Sequence, residues 1–255
     1  ANLFCYTNCA IDLNTGKLEY SRRDHTAHIG SINFNPDANL LITALEYDAQ
    51  GFSQTESKAR IYNLEDGKPV HVLQGETVGI NSIEYVIKNK FELISTNDSV
   101  AILWDCSKGK TKQEYFGHKG PVIDAICSTD LNFVFNAGKD ETVRVFGLTD
   151  GKLIKQITEH NCELTSIDFN SLNKIVAIAD QCGEFKLYDL IENRLLIDPK
   201  SNQEALVSRS ANTISYSPNG QFLLAYHKSD RPWGEQEGVS VYDASNGALI
   251  NTVKS

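Results

Sequence analysis

The sequence predicts an all-β fold of repeated four-stranded antiparallel sheets. Three observations predict it: short apolar runs set between polar turns, no helix-length apolar pattern, and a fixed repeat length. Residues 117–151, GHKGPVIDAICSTDLNFVFNAGKDETVRVFGLTDG, hold one complete unit. Within it Val122, Asp124 and Ile126 alternate with Ile123, Ala125 and Cys127, which marks a strand. A turn at 128–130 leads into a second apolar run from Phe133. Asp140, Glu141 and Thr142 make a polar turn before a third strand at 143–146. Thr149, Asp150 and Gly151 make the next, before Leu153, Ile154 and Ile157.

The repeat is measured from the last residue of each third strand and from a turn residue five places later. The strand ends are Ile11, Tyr62, Trp104, Phe146, Tyr188 and Tyr242, and the turn residues are Gly16, Gly67, Gly109, Gly151, Asn193 and Gly247. Successive spacings are 51, 42, 42, 42 and 54. Four strands in 42 residues is the signature of a β-propeller blade, a sheet that buries both faces by stacking against its neighbours.

The chain resembles the WD-repeat family. Gly117-His118, Asp140 and the dipeptides Trp104-Asp105, Tyr188-Asp189 and Tyr242-Asp243 carry the resemblance, which covers nearly the whole sequence. It implies a buried hydrogen-bonded group in each blade, made of a loop His, a turn Asp, a strand Ser or Thr and the third-strand Trp. The pattern is split here. The blade with His118 and Asp140 has Phe146 in the indole's place, and the blade with Trp104 and Asp98 has Glu76 in the histidine's place. Trp104, His118, Asp140, Phe146, Tyr188 and Tyr242 are expected to be structural residues. Phe146 needs no hydrogen-bond partner, so its blade can dispense with the indole.

In chain order, residues 1–24 supply strands, but no innermost strand precedes them. Full units follow at about 25–73, 74–115, 116–157, 158–198 and 199–255, so the expectation is one propeller domain over 1–255 with a partial first blade. The abrupt start predicts a missing upstream segment and a seven-bladed parent, with a six-bladed ring as the alternative. Methionine is absent, position 1 included, which also suggests an incomplete reading frame. Two connections between second and third strands are long. Residues 46–58 insert about nine residues and include Tyr47 and Phe52. Residues 227–238 include His227, Lys228, Arg231, Pro232 and Trp233.

Composition narrows the function. Hydrophobic residues at 41% and charged residues at 22% are ordinary for a water-soluble domain. A net charge of −9 opposes both the nucleic-acid backbone and an anionic membrane surface, so neither is an expected partner. No apolar stretch of 18 residues and no secretory signal appear, which predicts a cytoplasmic location, the nucleus being the alternative. The six cysteines show no Cys-x-x-Cys and no paired histidines, so zinc is not expected and all are read as reduced thiols acting as small strand hydrophobes. His25 and His28 lie three apart, but no third ligand is near, and His28, His118 and His160 read as loop histidines bonded to turn or strand groups.

No nucleophile elbow, phosphate loop or His-Glu-x-x-His is present. With a resemblance to a family whose members mostly bind rather than catalyse, the expectation is a non-catalytic scaffold without cofactor, a subunit of a multi-protein assembly. The alternative is a propeller enzyme or a small-molecule-binding propeller. The candidate protein-binding residues are Tyr47, Phe52, His28, His227, Lys228, Arg231 and Trp233. Connections between second and third strands leave a blade at the same end as those leading into innermost strands, so both insertions and the histidine loops are expected on one face.

Overall fold

A computed structural model of the chain describes residues 3–6, 9–12, 18–21, 29–35, 39–45, 59–73, 80–86, 92–96, 99–128, 130–197, 211–227 and 238–254. Every regular element among them is a β-strand. No helix of these residues is long and apolar enough to cross a membrane.

Strands β1 (Leu3–Tyr6), β2 (Cys9–Asp12) and β3 (Leu18–Ser21) form a three-stranded sheet. Five four-stranded antiparallel meanders follow, each pairing its strands in chain order. The first is β4 (Ile29–Phe34), β5 (Leu40–Leu45), β6 (Ala59–Asn63) and β7 (Pro69–Leu73). The second is β8 (Ser82–Tyr85), β9 (Glu92–Thr96), β10 (Ala101–Asp105) and β11 (Lys110–Tyr115). The third is β12 (Val122–Ser128), β13 (Phe133–Gly138), β14 (Val143–Gly147) and β15 (Leu153–Ile157). The fourth is β16 (Leu164–Asn170), β17 (Ile175–Asp180), β18 (Phe185–Asp189) and β19 (Arg194–Ile197). The fifth is β20 (Ala211–Tyr216), β21 (Phe222–His227), β22 (Gly238–Asp243) and β23 (Leu249–Lys254). Such four-stranded meanders are the form that propeller blades take.

The hairpin from third to fourth strand explains the repeat's sequence anchors. Its turn needs one residue in the left-handed region, and Gly67, Gly109, Gly151 and Gly247 occupy it with φ of 62–66°. Asn193 takes the same place at 54°, which asparagine tolerates better than other side chains. The acidic or amide residue after the aromatic caps the turn: Asn63, Asp105, Asp189 and Asp243 accept from the backbone N–H two residues on, at 2.8–3.0 Å. A register shift sits just before or at the aromatic in all five sheets. The dipeptide is thus a strand end followed by its cap.

The chain divides into two compact units, residues 1–117 with 148–152, and residues 118–147 with 153–255. In the first, Ile42, Ile61 and Leu73 of one sheet pack against Ile83, Ile102 and Trp104 of the next, and Trp104 is 1% exposed. Asn33 Nδ2 donates to the Ile83 carbonyl across the same boundary. In the second unit, Phe135 stacks on Phe169 with centroids 5.3 Å apart, and Phe185 meets Tyr242 edge-on at 4.8 Å. Tyr188 lies in the core between the sheets of β12–β15 and β16–β19, and Tyr242 in the core between the sheets of β16–β19 and β20–β23. Tyr62 and Phe146 are buried as well.

Adjacent first strands in the second unit are tied by side chains. Asp124 Oδ2 accepts from the Ile167 N–H, Ser166 Oγ from the Ile214 N–H and Asp168 Oδ2 from the Tyr216 N–H at 2.6 Å. Burial pushes the Asp168 carboxyl up despite the Tyr216 and Phe169 N–H groups it accepts from. Each buried aromatic or aliphatic side chain contributes about 1.5–3 kcal/mol, against roughly 1 kcal/mol net for a hydrogen bond. Apolar faces therefore hold the sheets together, and the side-chain ties set their alignment.

Candidate functional site

The His-Asp constructions of the second unit lie in the sheets of β12–β15 and β16–β19, at the end where the chain leads into the first strand and turns from the second to the third. In the sheet of β12–β15, His118 precedes β12 and Asp140 sits in the β13 to β14 turn. His118 Nδ1 lies 2.8 Å from Asp140 Oδ1. Because an ionised carboxylate only accepts, the ring donates from Nδ1. The Thr142 hydroxyl donates to the same oxygen at 2.8 Å, and the Lys119 N–H to Oδ2 at 2.9 Å. Burial pushes the Asp140 carboxyl up, but the Lys119 N–H, the His118 ring and the Thr142 hydroxyl outweigh it and hold the group below its usual range. Burial holds the His118 ring below its ordinary value in spite of the Asp140 carboxylate. Gly138 makes room: a Cβ there would lie 2.3 Å from His118 Nδ1 and 2.7 Å from Asp140 Oδ1.

The sheet of β16–β19 repeats the histidine but not its partner. His160, 42 places after His118, bonds through Nδ1 to Asp180 Oδ2 at 2.6 Å. Asp180 corresponds to Gly138, since Leu164 pairs with Asp180 as Val122 pairs with Gly138. The carboxylate thus comes from the end of β17 rather than from the turn, and it fills the space that glycine leaves open in the neighbouring sheet. Its Oδ1 accepts from the Cys182 and Glu184 N–H groups at 3.0 and 3.1 Å. The expectation that His160 bonds to a turn or strand group is met by this strand-end acid, and the repeat points to it, because adding 42 to 138 gives 180.

The expectation of reduced thiols is corrected at one pair. Cys162 and Cys182 form a disulfide with Cα atoms 6.0 Å apart. They stand where the neighbouring sheet has Gly120 and Asp140, two positions that face each other because a Cβ on Gly120 would lie 3.9 Å from the Asp140 nitrogen. With the acid moved to 180, the turn position is open to a cysteine that meets its counterpart. Spacing along the chain cannot reveal this pairing; strand register does. Cys106 and Cys127 are not in a disulfide.

The chemistry available at these sites is limited. Activating a nucleophile requires its hydroxyl or thiol on the histidine's second nitrogen. Among the described residues none bonds to Nε2 of His118 or His160, and the Thr142 hydroxyl points to the acid instead. Cys162, Asp180 and Cys182 offer three ligand atoms within 4.8 Å of one another, but the sulfurs bonded to each other are not the thiolates that a metal takes.

Of the residues expected to bind a partner, Tyr47, Phe52, His28, Lys228, Arg231 and Trp233 lie outside the described residues, as does the His227 side chain. So do His25, Glu76 and Asp98. The strands flanking the insertions are described: β5 and β6 bound one, β21 and β22 the other, each a second and third strand. That is the kind of connection that carries Asp140.

An all-β chain of repeated four-stranded meanders, four of whose third strands close on an aromatic followed by a capping Asn or Asp, defines a repeat protein of blade-like sheets. No family model matches the chain. Over 153 residues it is 27% identical to a WD repeat-containing protein of Dictyostelium discoideum, covering 59% of the chain and 24% of that protein. It is 22% identical over 237 residues to Autophagy-related protein 16 of Arabidopsis thaliana, covering 91% of the chain and 41% of that protein. It is 31% identical over 128 residues to an F-box-like/WD repeat-containing protein of Mus musculus, covering 46% and 22%. The chain spans 22–41% of the length of these relatives. Two of these three relatives are WD repeat-containing proteins by name, the family that the sequence resembles.

Proposed function

We propose that the chain is a non-catalytic protein-interaction scaffold, a WD-repeat subunit of a multi-protein assembly. The single observation that carries this is the use of the site's polar groups. His118, Asp140, His160 and Asp180 bond to each other and to loop and turn N–H groups, which fixes loops in place and, among the described residues, leaves no nucleophile on a base. Fixed loops reduce the ordering entropy lost when a partner docks. The same proposal reads the sheets as propeller blades, seven in the parent ring, within one domain. It gives structural roles to Trp104, His118, Asp140, Phe146, Tyr188 and Tyr242, and places the protein in the cytoplasm.

Contact with a protein partner is assigned to the two insertions and the adjoining histidines: Tyr47, Phe52, His28, His227, Lys228, Arg231 and Trp233. Tryptophan and arginine dominate measured hot spots, and Pro232 between them restricts the loop before binding. The test begins with affinity capture of the chain from its native source and identification of what co-purifies. Partner affinity and melting temperature are then compared for Trp233→Ala and the unmodified chain. Lost binding, about tenfold or more, with an unchanged melt supports the contact; unchanged binding with a lowered melt assigns Trp233 to the fold instead.

A further inference from the structure

We propose that Cys162 and Cys182 are a reversible redox site, a dithiol and disulfide pair that exchanges with low-molecular-weight thiols and disulfides. This goes beyond the scaffold reading and does not depend on it. The bond ties the loop leading into β16 to the turn between β17 and β18. Its Cα separation of 6.0 Å lies within the span that disulfides use. Cys182 is exposed and Cys162 is partly so, which gives a small thiol access to a sulfur.

Reversibility follows from what else holds the two segments. The Gln181 N–H donates to the Glu163 carbonyl at 2.9 Å, and Gln181 Nε2 to Glu163 Oε2 at 3.0 Å. Directly alongside, the buried His160 and Asp180 join the same loop to the same strand at 2.6 Å. None of these contacts uses a sulfur, so reduction leaves Cys162 and Cys182 facing each other at high effective concentration. The neighbouring sheet supports the point, because with Gly120 and Asp140 at these positions it keeps the equivalent bond, Lys139 N–H to Pro121 carbonyl at 2.9 Å, without a covalent link. The disulfide is an addition to a loop that already holds its shape.

In the oxidising direction the exposed Cys182 thiolate attacks a small-molecule disulfide, forming a mixed disulfide and releasing one small thiol. The Cys162 thiolate then attacks Cys182 Sγ, closing the internal bond and releasing the second small thiol. Two electrons and two protons pass from the pair to the small disulfide. Excess small thiol runs the same steps backwards.

The test equilibrates the full chain in a series of reduced-to-oxidised glutathione ratios, traps free thiols with iodoacetamide and identifies the peptides by mass spectrometry. Expected is a joint change of Cys162 and Cys182 from alkylated to linked across the series, with Cys106 and Cys127 in no disulfide at any ratio. The melting temperature should rise by about 6–12 °C from the reduced to the oxidised end, a difference lost in Cys162→Ser and in Cys182→Ser. Trapping uses the unmodified chain, so a variant that fails to fold leaves the result readable. The proposal is overturned if no 162–182 link forms at any ratio, if the link survives the most reducing buffer, or if either cysteine links elsewhere. Repeating the series with one equivalent of zinc chloride gives the remaining outcome: retained zinc that blocks the link overturns the redox site in favour of a metal site.

Discussion

The sheets of β12–β15 and β16–β19 carry a histidine at the same place in the repeat, His118 and His160, and anchor it differently. In the first, the acid is Asp140 in the turn, Gly138 clears space for it, and Gly120 faces it across the loop. In the second, the acid is Asp180 at the strand end, where the glycine was, and the vacated turn and loop positions hold a disulfide. One geometric requirement, an acceptor for a buried ring N–H, is met from two positions two residues apart. The repeat conserves the location of the carboxylate in space while its location in sequence moves.

The sharpest test of the difference is removal of each acid. Asp180 has a side chain 1% exposed and serves His160 and two N–H groups, whereas the Asp140 side chain is 11% exposed. Asp180→Ala should therefore cost about 3–5 kcal/mol and Asp140→Ala about 1–3 kcal/mol, read from urea unfolding. Equal losses would break the comparison.

The next largest effect concerns the glycine. Gly138→Ala places a methyl against His118 and Asp140 and should cost about 1–3 kcal/mol. Moving the acid, with Gly138→Asp combined with Asp140→Ser, copies the neighbouring arrangement and should lose under about 1 kcal/mol. If the double variant is no better than the sum of its parts, the interchange of positions is not the explanation.

The smallest effect is one of pH. Burial lowers the folded pKa of His118 below its ordinary value of 6.5, so below that pH the unfolded chain holds more protons. The stability that this histidine contributes is full above pH 6.5 and is lost as pH falls towards the folded value. Subtracting the profile of His118→Gln from that of the unmodified chain should leave a loss of stability that sets in as pH falls below 6.5. Asp140, lowered from 3.8, acts further down: its contribution is present above that value and lost as pH falls through the folded one. A difference profile flat from pH 7 to 5 would place His118 in a more solvated setting.

The strand order was legible because alternation and turn chemistry are local. The third-strand aromatics stood out for the same reason, since Tyr62, Trp104, Tyr188 and Tyr242 each precede a residue that caps its own turn. His118 and Asp140 were found through the pattern of the resembled family. For His160 the sequence predicts a turn or strand partner without saying which residue, and the disulfide is not legible because its cysteines, 20 residues apart, meet only through the register of β16 on β17.

By itself the sequence determined the all-β class, the 42-residue repeat, the capped hairpins and the excess of negative charge. Each depends on interactions within a few residues or on composition alone. The tertiary structure decided which carboxylate serves which histidine, which cysteines join, and that Asp124, Ser166 and Asp168 tie one first strand to the next. Those contacts join residues 20 to 48 positions apart. Partners that far apart are set by strand register and by the packing of one sheet on another, and neither is written in any local stretch of the chain.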